Sequence, residues 1–376
     1  MKVLRKIINI FILSVIGFII LNILFGYLWS LKTKYKFNNL KPYSNEVLEV
    51  LKLNEKESLI LYLETWQKQR LFEYEQFTGH IDSPRKNFKY VNFTKLNGRK
   101  IKNKNICDVR FFFYGGETTF GYNVTDKQTF SSYFSDILNN EFPNKNYCVF
   151  NFGRKGYFST QENILFQQHL LKKRFQPGDF IFFVDGANEG GNKNVIGSLF
   201  LEDIYIHFHQ KYWDIYKHTF PIFFSSFPIV QFVERAQQKI KKKNSSQLQN
   251  IPENINNEML LSVFQNNIDI RISICKRFVL NCYTFLQPLA GIHGIYFDNI
   301  PKNIAVETRP KGNERKKNQK KYSILKKAEN FIDITDSLNN EKKLSYVDGI
   351  NYSPPGNKSI AEYIYQIVEE KIKSIN

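Results

Sequence analysis

The sequence predicts an α/β protein: a mainly parallel sheet flanked by helices, preceded by a transmembrane helix. Three observations carry this. From about residue 107 short apolar runs alternate with segments of helical spacing, the pattern of a parallel sheet covered on both faces. Several of those runs end in glycine turns, as in VRFFFYGG and VFNFG. Finally, Ile7–Ser30 is almost wholly apolar and carries no charge.

In chain order, residues 1–30 form the anchor. At about 1.5 Å rise per residue its apolar stretch crosses a hydrocarbon core of about 30 Å. Neither a short apolar region nor a small-residue cleavage site is visible, so the segment reads as an uncleaved anchor lying in membrane lipid through residues 7–30. Lys2, Arg5 and Lys6 precede it and Lys32, Lys34 and Lys36 follow it, so flanking charge does not orient it. Residues 31–106 form an extension with helix-like spacing in SNEVLEVLKLNEKESLILYLETW, expected to pack on the domain that follows.

Residues 107–376 form that domain. ICDVRFFFYGG is its first strand and KQTFSSYFSDILNNEF a helix with Phe130, Phe134 and Leu138 on one side. YCVFNFG is the second strand, STQENILFQQHLLKKRF the second helix, and DFIFFVDGANE the third strand and its loop. A helix is predicted from about Met259 to Tyr283, running into YTFLQPLAG as the fourth strand. FIDITDSL reads as a short edge strand, and SIAEYIYQIVEEKIKSI as a closing amphipathic helix. Two insertions interrupt the pattern. The first, at about 195–257, pairs an aromatic stretch with a basic one. It reads as a lid, a membrane-surface patch, or a segment packed on the core. The second, at about 305–327, is strongly basic and is expected to be an exposed, mobile run.

The formal charge of +18 over 376 residues points to anionic surroundings: membrane lipid, acidic polysaccharide or nucleic acid. No zinc-finger, RRM-like or helix-turn-helix signature supports nucleic acid. His207 and His209 lack a carboxylate or cysteine at ligand spacing, so no metal is expected, and GANEGGN lacks the Lys and Ser/Thr of a phosphate loop. No cofactor is expected. The expectation for Cys107 and Cys148 is two buried thiols, with an extracytoplasmic disulfide the alternative. Cys275 and Cys282, on one predicted helix, are expected to lie too far apart to bridge.

Four blocks carry the chemistry: GGETTFG at 115–121, NFGRKGYFSTQ at 151–161, DGANE at 185–189 and DGINYSPPGNKSIA at 348–361. Together, over about Asp108–Glu369, they resemble the SGNH hydrolases, also called GDSL-like esterases. The resemblance implies a flavodoxin-like three-layer α/β/α sandwich with its site at the carboxyl ends of the strands. It implies a serine nucleophile in the first block, a backbone donor at Gly153 or Gly156, a side-chain donor at Asn188, and an Asp–His pair in the last block. This chain departs at two points: Glu117 stands at the serine position and Asn351 at the histidine position. Asp348, Asn188, Gly116, Gly153 and Gly156 match. The closest histidine in sequence to the last block is His293.

A neutral amide accepts no proton at neutral pH, so serine acyl transfer through these positions is not expected. Three readings follow. The first is a non-catalytic relative that binds a glycan or acylated glycan, with Glu117 accepting from sugar hydroxyls. The second is a glycoside hydrolase using Glu117 and Asp348 as its carboxylate pair. The third is an esterase or acyltransferase using another serine, such as Ser159 or Ser353. Alongside these, Glu117 reads as favourable charge at a helix start and Asn351 as an Asx turn. The resemblance implies a domain facing the periplasm or cell exterior and association with polysaccharide-assembly proteins.

Overall fold

In a computed structural model of the chain, residues 2–38, 41–66, 72–82, 88–103, 106–190, 253–295 and 312–375 are described. Two compact units result. One contains the N-terminal helix; the other spans Lys41–Ile204 and Pro252–Asn376.

Helix α1 (Lys2–Asn38) is apolar all round over Arg5–Leu28, with Ile7, Phe11, Leu13 and Ile20 all exposed. No polar face exists to meet water, so this helix is a candidate membrane span by length and composition.

The larger unit is built on five parallel strands: β3 (Val109–Gly115), β4 (Tyr147–Asn151), β5 (Phe180–Asp185), β6 (Asn281–Leu286) and β7 (Ile332–Asp333). Their order is β4-β3-β5-β6-β7. Numbered within the sheet this is 2-1-3-4-5, the flavodoxin-like order, which reverses between the first and third strands. The strands alternate. Phe111, Phe113, Phe180 and Phe182 face helices α5 (Phe130–Glu141) and α9 (Pro354–Lys373). Phe112, Tyr114, Ile181 and Phe183 face α6 (Ser159–Leu171) and α7 (Glu253–Phe278). A sheet buried on both faces explains why its strands read as continuous apolar runs.

The extension packs on this unit. Helices α2 (Asn45–Leu51) and α3 (Glu55–Trp66) bury Val47, Leu51 and Leu61 against Phe120, Tyr122 and Val347. Glu64 accepts backbone N–H bonds from Lys89, Tyr90 and Val91. Buried Arg99 binds the carbonyls of Gly121 and Val124 and the carboxylate of Asp126, which fixes the chain beyond the first block. A small antiparallel hairpin, β1 (Phe72–Glu75) and β2 (Gly79–Asp82), completes the extension.

Three expectations are corrected. Cys107 and Cys148 are joined in a disulfide, because Cys148 lies in β4 and Cys107 just ahead of its neighbour β3. Cys275 and Cys282 are also bridged, their Cα atoms 6.1 Å apart. The helix expected to carry both ends at Phe278, Val279 turns the chain at φ 56°, and Cys282 lies in β6, reversed in direction. The basic run expected to be mobile contributes helix α8 (Gly312–Leu325), because Tyr322, Leu325 and Ala328 form an apolar face that docks on Leu260, Phe264 and Leu286. His207, His209 and most of the first insertion lie outside the described residues.

Candidate functional site

The first block leaves β3 at the point where strand order reverses. Gly116 precedes the one-turn helix α4 (Glu117–Phe120), whose first residue is Glu117. A Cβ on Gly116 would lie 2.3 Å from Asn188 Nδ2, so only glycine lets the loop after β5 approach. Gly156 holds φ +70°, which a side chain would strain.

These glycines bring two donors onto one atom. Glu117 Oε2 accepts the N–H of Gly156 at 2.7 Å and Asn188 Nδ2 at 2.9 Å. Asn188 Nδ2 gives its second hydrogen to the Tyr157 carbonyl. The donors that the resemblance assigns to an oxyanion are therefore held by the chain's own carboxylate. Gly153 does not join them. Its N–H donates to Asn151 Oδ1, and its glycine is needed because a Cβ would meet the Phe120 nitrogen at 2.2 Å. Among the described residues no donor reaches Glu117 Oε1, and Glu117 is partly exposed.

The last block is closed. Asp348 Oδ1 accepts the N–H groups of Ile350 and Asn351 at 2.8 and 2.6 Å. Its Oδ2 accepts Asn351 Nδ2 at 2.8 Å and Asn123 Nδ2 at 2.5 Å. Burial still holds its carboxyl above the ordinary value, against those four donors. Asn351 thus donates to the aspartate as a histidine N–H would, while its buried Oδ1 has no partner among the described residues. Ser353 is the N-cap of α9: its hydroxyl accepts the Gly356 N–H and donates to the Leu344 carbonyl.

Two residues absent from the sequence reading hold the blocks together. Gln287 Oε1, at the end of β6, accepts the hydroxyls of both Thr118 and Tyr352, at 2.7 and 2.9 Å. The neighbours of Glu117 and of Asn351 are thereby pinned to one amide. Asn123, at φ 61°, links Asp348 to the Tyr43 hydroxyl and the Trp66 indole N–H of the extension. No spacing rule marks Gln287; an asparagine two residues past a glycine is a weak signal for a left-handed turn.

Lys321 of α8 is the third such residue. Its Nζ donates to the Ala187 carbonyl at 2.7 Å. Burial lowers its ammonium to about 8, opposed by the nearby charges of Glu189 and Glu117. Beneath lies a buried ionic cluster in which Arg271 pairs with Asp185 and with Glu162. Burial, then Asp185, raises Glu162 well above its ordinary value and pushes Glu189 up to about 7. Ser159 is fully buried in this cluster, its hydroxyl donating to Glu189 and accepting from Asn267. No group of three or more His, Cys, Asp or Glu among the described residues has metal-binding geometry.

No family model matches the chain, and no curated protein matches it. Solved structures similar to it are hydrolases. Axe2, an acetylxylan esterase from Geobacillus stearothermophilus, is 12% identical with TM-score 0.35, over 69% of this chain and 94% of that one. The psychrotrophic esterase EstA from Pseudoalteromonas sp. is 10% identical with TM-score 0.36, over 71% and 100%. LAE5, an alpha/beta hydrolase enzyme from the metagenome of Lake Arreo, Spain, is 10% identical with TM-score 0.36, over 69% and 94%. Likeness of this degree transfers no residue role. The α/β/α class rests on the strand order itself.

Proposed function

We propose that this chain is a membrane-anchored, SGNH hydrolase-like protein that binds a cell-surface glycan and has given up Ser–His ester chemistry. The carrying observation is the state of Glu117. One oxygen holds the Gly156 and Asn188 donors, and the other meets no donor among the described residues, which leaves it as an acceptor. An acceptor of this kind, beside the carbonyl oxygen of an amide and an ammonium, suits a ligand rich in hydroxyls. Gly116, Gly153 and Gly156 shape the wall, and Asn351 steadies Asp348.

The carboxylate-pair reading draws less support from the geometry. A general acid or base must exchange a proton with the ligand, and Asp348 is 6% exposed with four donors on its two oxygens. A serine route draws less still, because Ser159 is buried and Ser353 serves as a helix cap.

Two disulfides suit an oxidising compartment, which supports reading the domain as lying outside the cytoplasm, tethered by α1. Polysaccharide-assembly proteins are its natural neighbours there. The test uses the full chain in nanodiscs with glycan oligomers and aryl acetates or aryl glycosides. Saturable glycan binding without turnover is the expected result. Turnover of an aryl glycoside, abolished equally by Glu117→Gln and Asp348→Asn, would replace this reading with a glycosidase.

A further inference from the structure

We propose that the bound glycan is acidic and that the exposed face of α8 is its docking track, leading into the Glu117 site. This rests on the glycan-binding reading and names the class of glycan.

Arg315, Lys316, Lys317 and Lys320 are all exposed on α8. No described carboxylate lies within ion-pair distance of Arg315, Lys316 or Lys317, whereas Lys326, just beyond the helix, is neutralised by Asp333 at 2.8 Å. Lys316 and Lys320 stand four residues apart, as do Lys317 and Lys321. Each such like-charge pair works against the helix that carries it. Arg315, Lys316 and Lys317, exposed and with no described carboxylate at ion-pair distance, leave net positive charge on the open face of the helix, which suits a polyanion.

The direction of the track comes from how α8 is held. Tyr322 donates to the Gln287 carbonyl, and the side-chain oxygen of the same Gln287 accepts Thr118, the residue after Glu117. Lys321 turns inward to the Ala187 carbonyl, one residue from Asn188. Its ammonium has three N–H bonds and, among the described residues, spends one there, leaving two to meet an anionic oxygen. From Arg315 to Lys321 the helix advances about 9 Å, so successive acidic sugars meet successive cations before the chain reaches the site. A lipid headgroup layer would engage the outer row but has no use for the inward ammonium or for the acceptor on Glu117.

The test compares polygalacturonate oligomers with uncharged xylo-oligomers of equal length, on the full chain in phosphatidylcholine nanodiscs. Polygalacturonate is expected to bind at least about 10-fold tighter at low salt, with the advantage shrinking as salt is raised. The Lys316→Gln/Lys317→Gln variant, on exposed helical positions, is expected to lose most of that advantage while binding xylo-oligomers as before. Equal affinity for both oligomers, both weakened by Glu117→Gln, would overturn the acidic track and leave the glycan reading standing. Binding of neither oligomer by folded protein would sink the glycan reading and this inference together. Lysine-dependent capture of phosphatidylglycerol vesicles, with both oligomers ignored, would overturn it in favour of lipid.

Discussion

Glu117 and Asp348 are two carboxylates in loops pinned to a single glutamine, and they are held in opposite ways. Asp348 is buried, with both oxygens engaged by two backbone N–H groups and two amide side chains. Glu117 is partly exposed, with two donors on one oxygen and none on the other among the described residues. A closed carboxylate organises the chain around it. An open one has capacity left for a ligand. The two blocks are therefore asymmetric: the last is closed on itself, and the first leaves one carboxylate oxygen without a donor among the described residues.

The asymmetry is broken most directly at Asp348. Asp348→Ala strands four donors, three of them buried, and the expected loss is about 3–5 kcal/mol. It is read as a fall in the urea midpoint with an unchanged slope. A loss below about 1 kcal/mol would mean that the carboxylate does not organise the loop, and the contrast with Glu117 would fail.

A sharper test installs a hydroxyl and a base at the two positions. Glu117→Ser empties the seat on Gly156 and Asn188 and supplies a hydroxyl; Asn351→His supplies a base beside Asp348. A positioned base contributes about 10²–10⁴-fold to such reactions. The double variant should hydrolyse an aryl acetate at least about 100-fold faster than Glu117→Ser alone. Equal rates would show that the two positions are not in working register.

Next in size is the response to pH. Glu189 is pushed up to about 7 from 4.5, so the folded state holds more protons than the unfolded one between those values. Its favourable contribution is complete below about 4.5 and is lost as pH rises through about 7. Lys321 is lowered to about 8 from 10.5, so the unfolded state holds more protons there, and stability rises from about pH 8 to 10.5. The urea midpoint should trace a minimum between these two limbs. Glu189→Gln should shrink the acid limb, leaving the part due to Glu162, and Lys321→Met should flatten the basic one. A flat profile in the parent chain would remove Lys321 from the electrostatics of the open half.

The sheet and the closed half were far more legible in the sequence than the open half. β3, β4 and β5 announce themselves as apolar runs, with the turn glycines of the first three blocks close behind. Asp348 and Asn351 fall in a recognisable block. Lys321 does not, because it sits in a run where seven of thirteen residues, Arg315–Lys327, are basic and hide the spacing of Tyr322, Leu325 and Ala328. Gln287 is one polar residue after a strand, and only its two hydroxyl donors show it to be a hub. The Cys275–Cys282 bridge was missed because no glycine or proline marks the end of α7; a valine takes the left-handed position instead.

The smallest expected effect on stability falls on Glu117, and it separates contact from architecture most cleanly. Glu117→Gln is nearly isosteric. Its amide oxygen can keep the bonds from Gly156 and Asn188, so the urea midpoint should move by no more than about 0.5 kcal/mol. The outer position then changes from an acceptor to an N–H₂ donor. A sugar hydroxyl that donated to the carboxylate loses its partner, and glycan affinity should fall about 10-fold, near 1.4 kcal/mol. Titration calorimetry reads the affinity and urea unfolding of the same preparation reads the stability. Unchanged affinity with unchanged stability would mean that the open oxygen faces only water, and the comparison between the two carboxylates would lose its functional half.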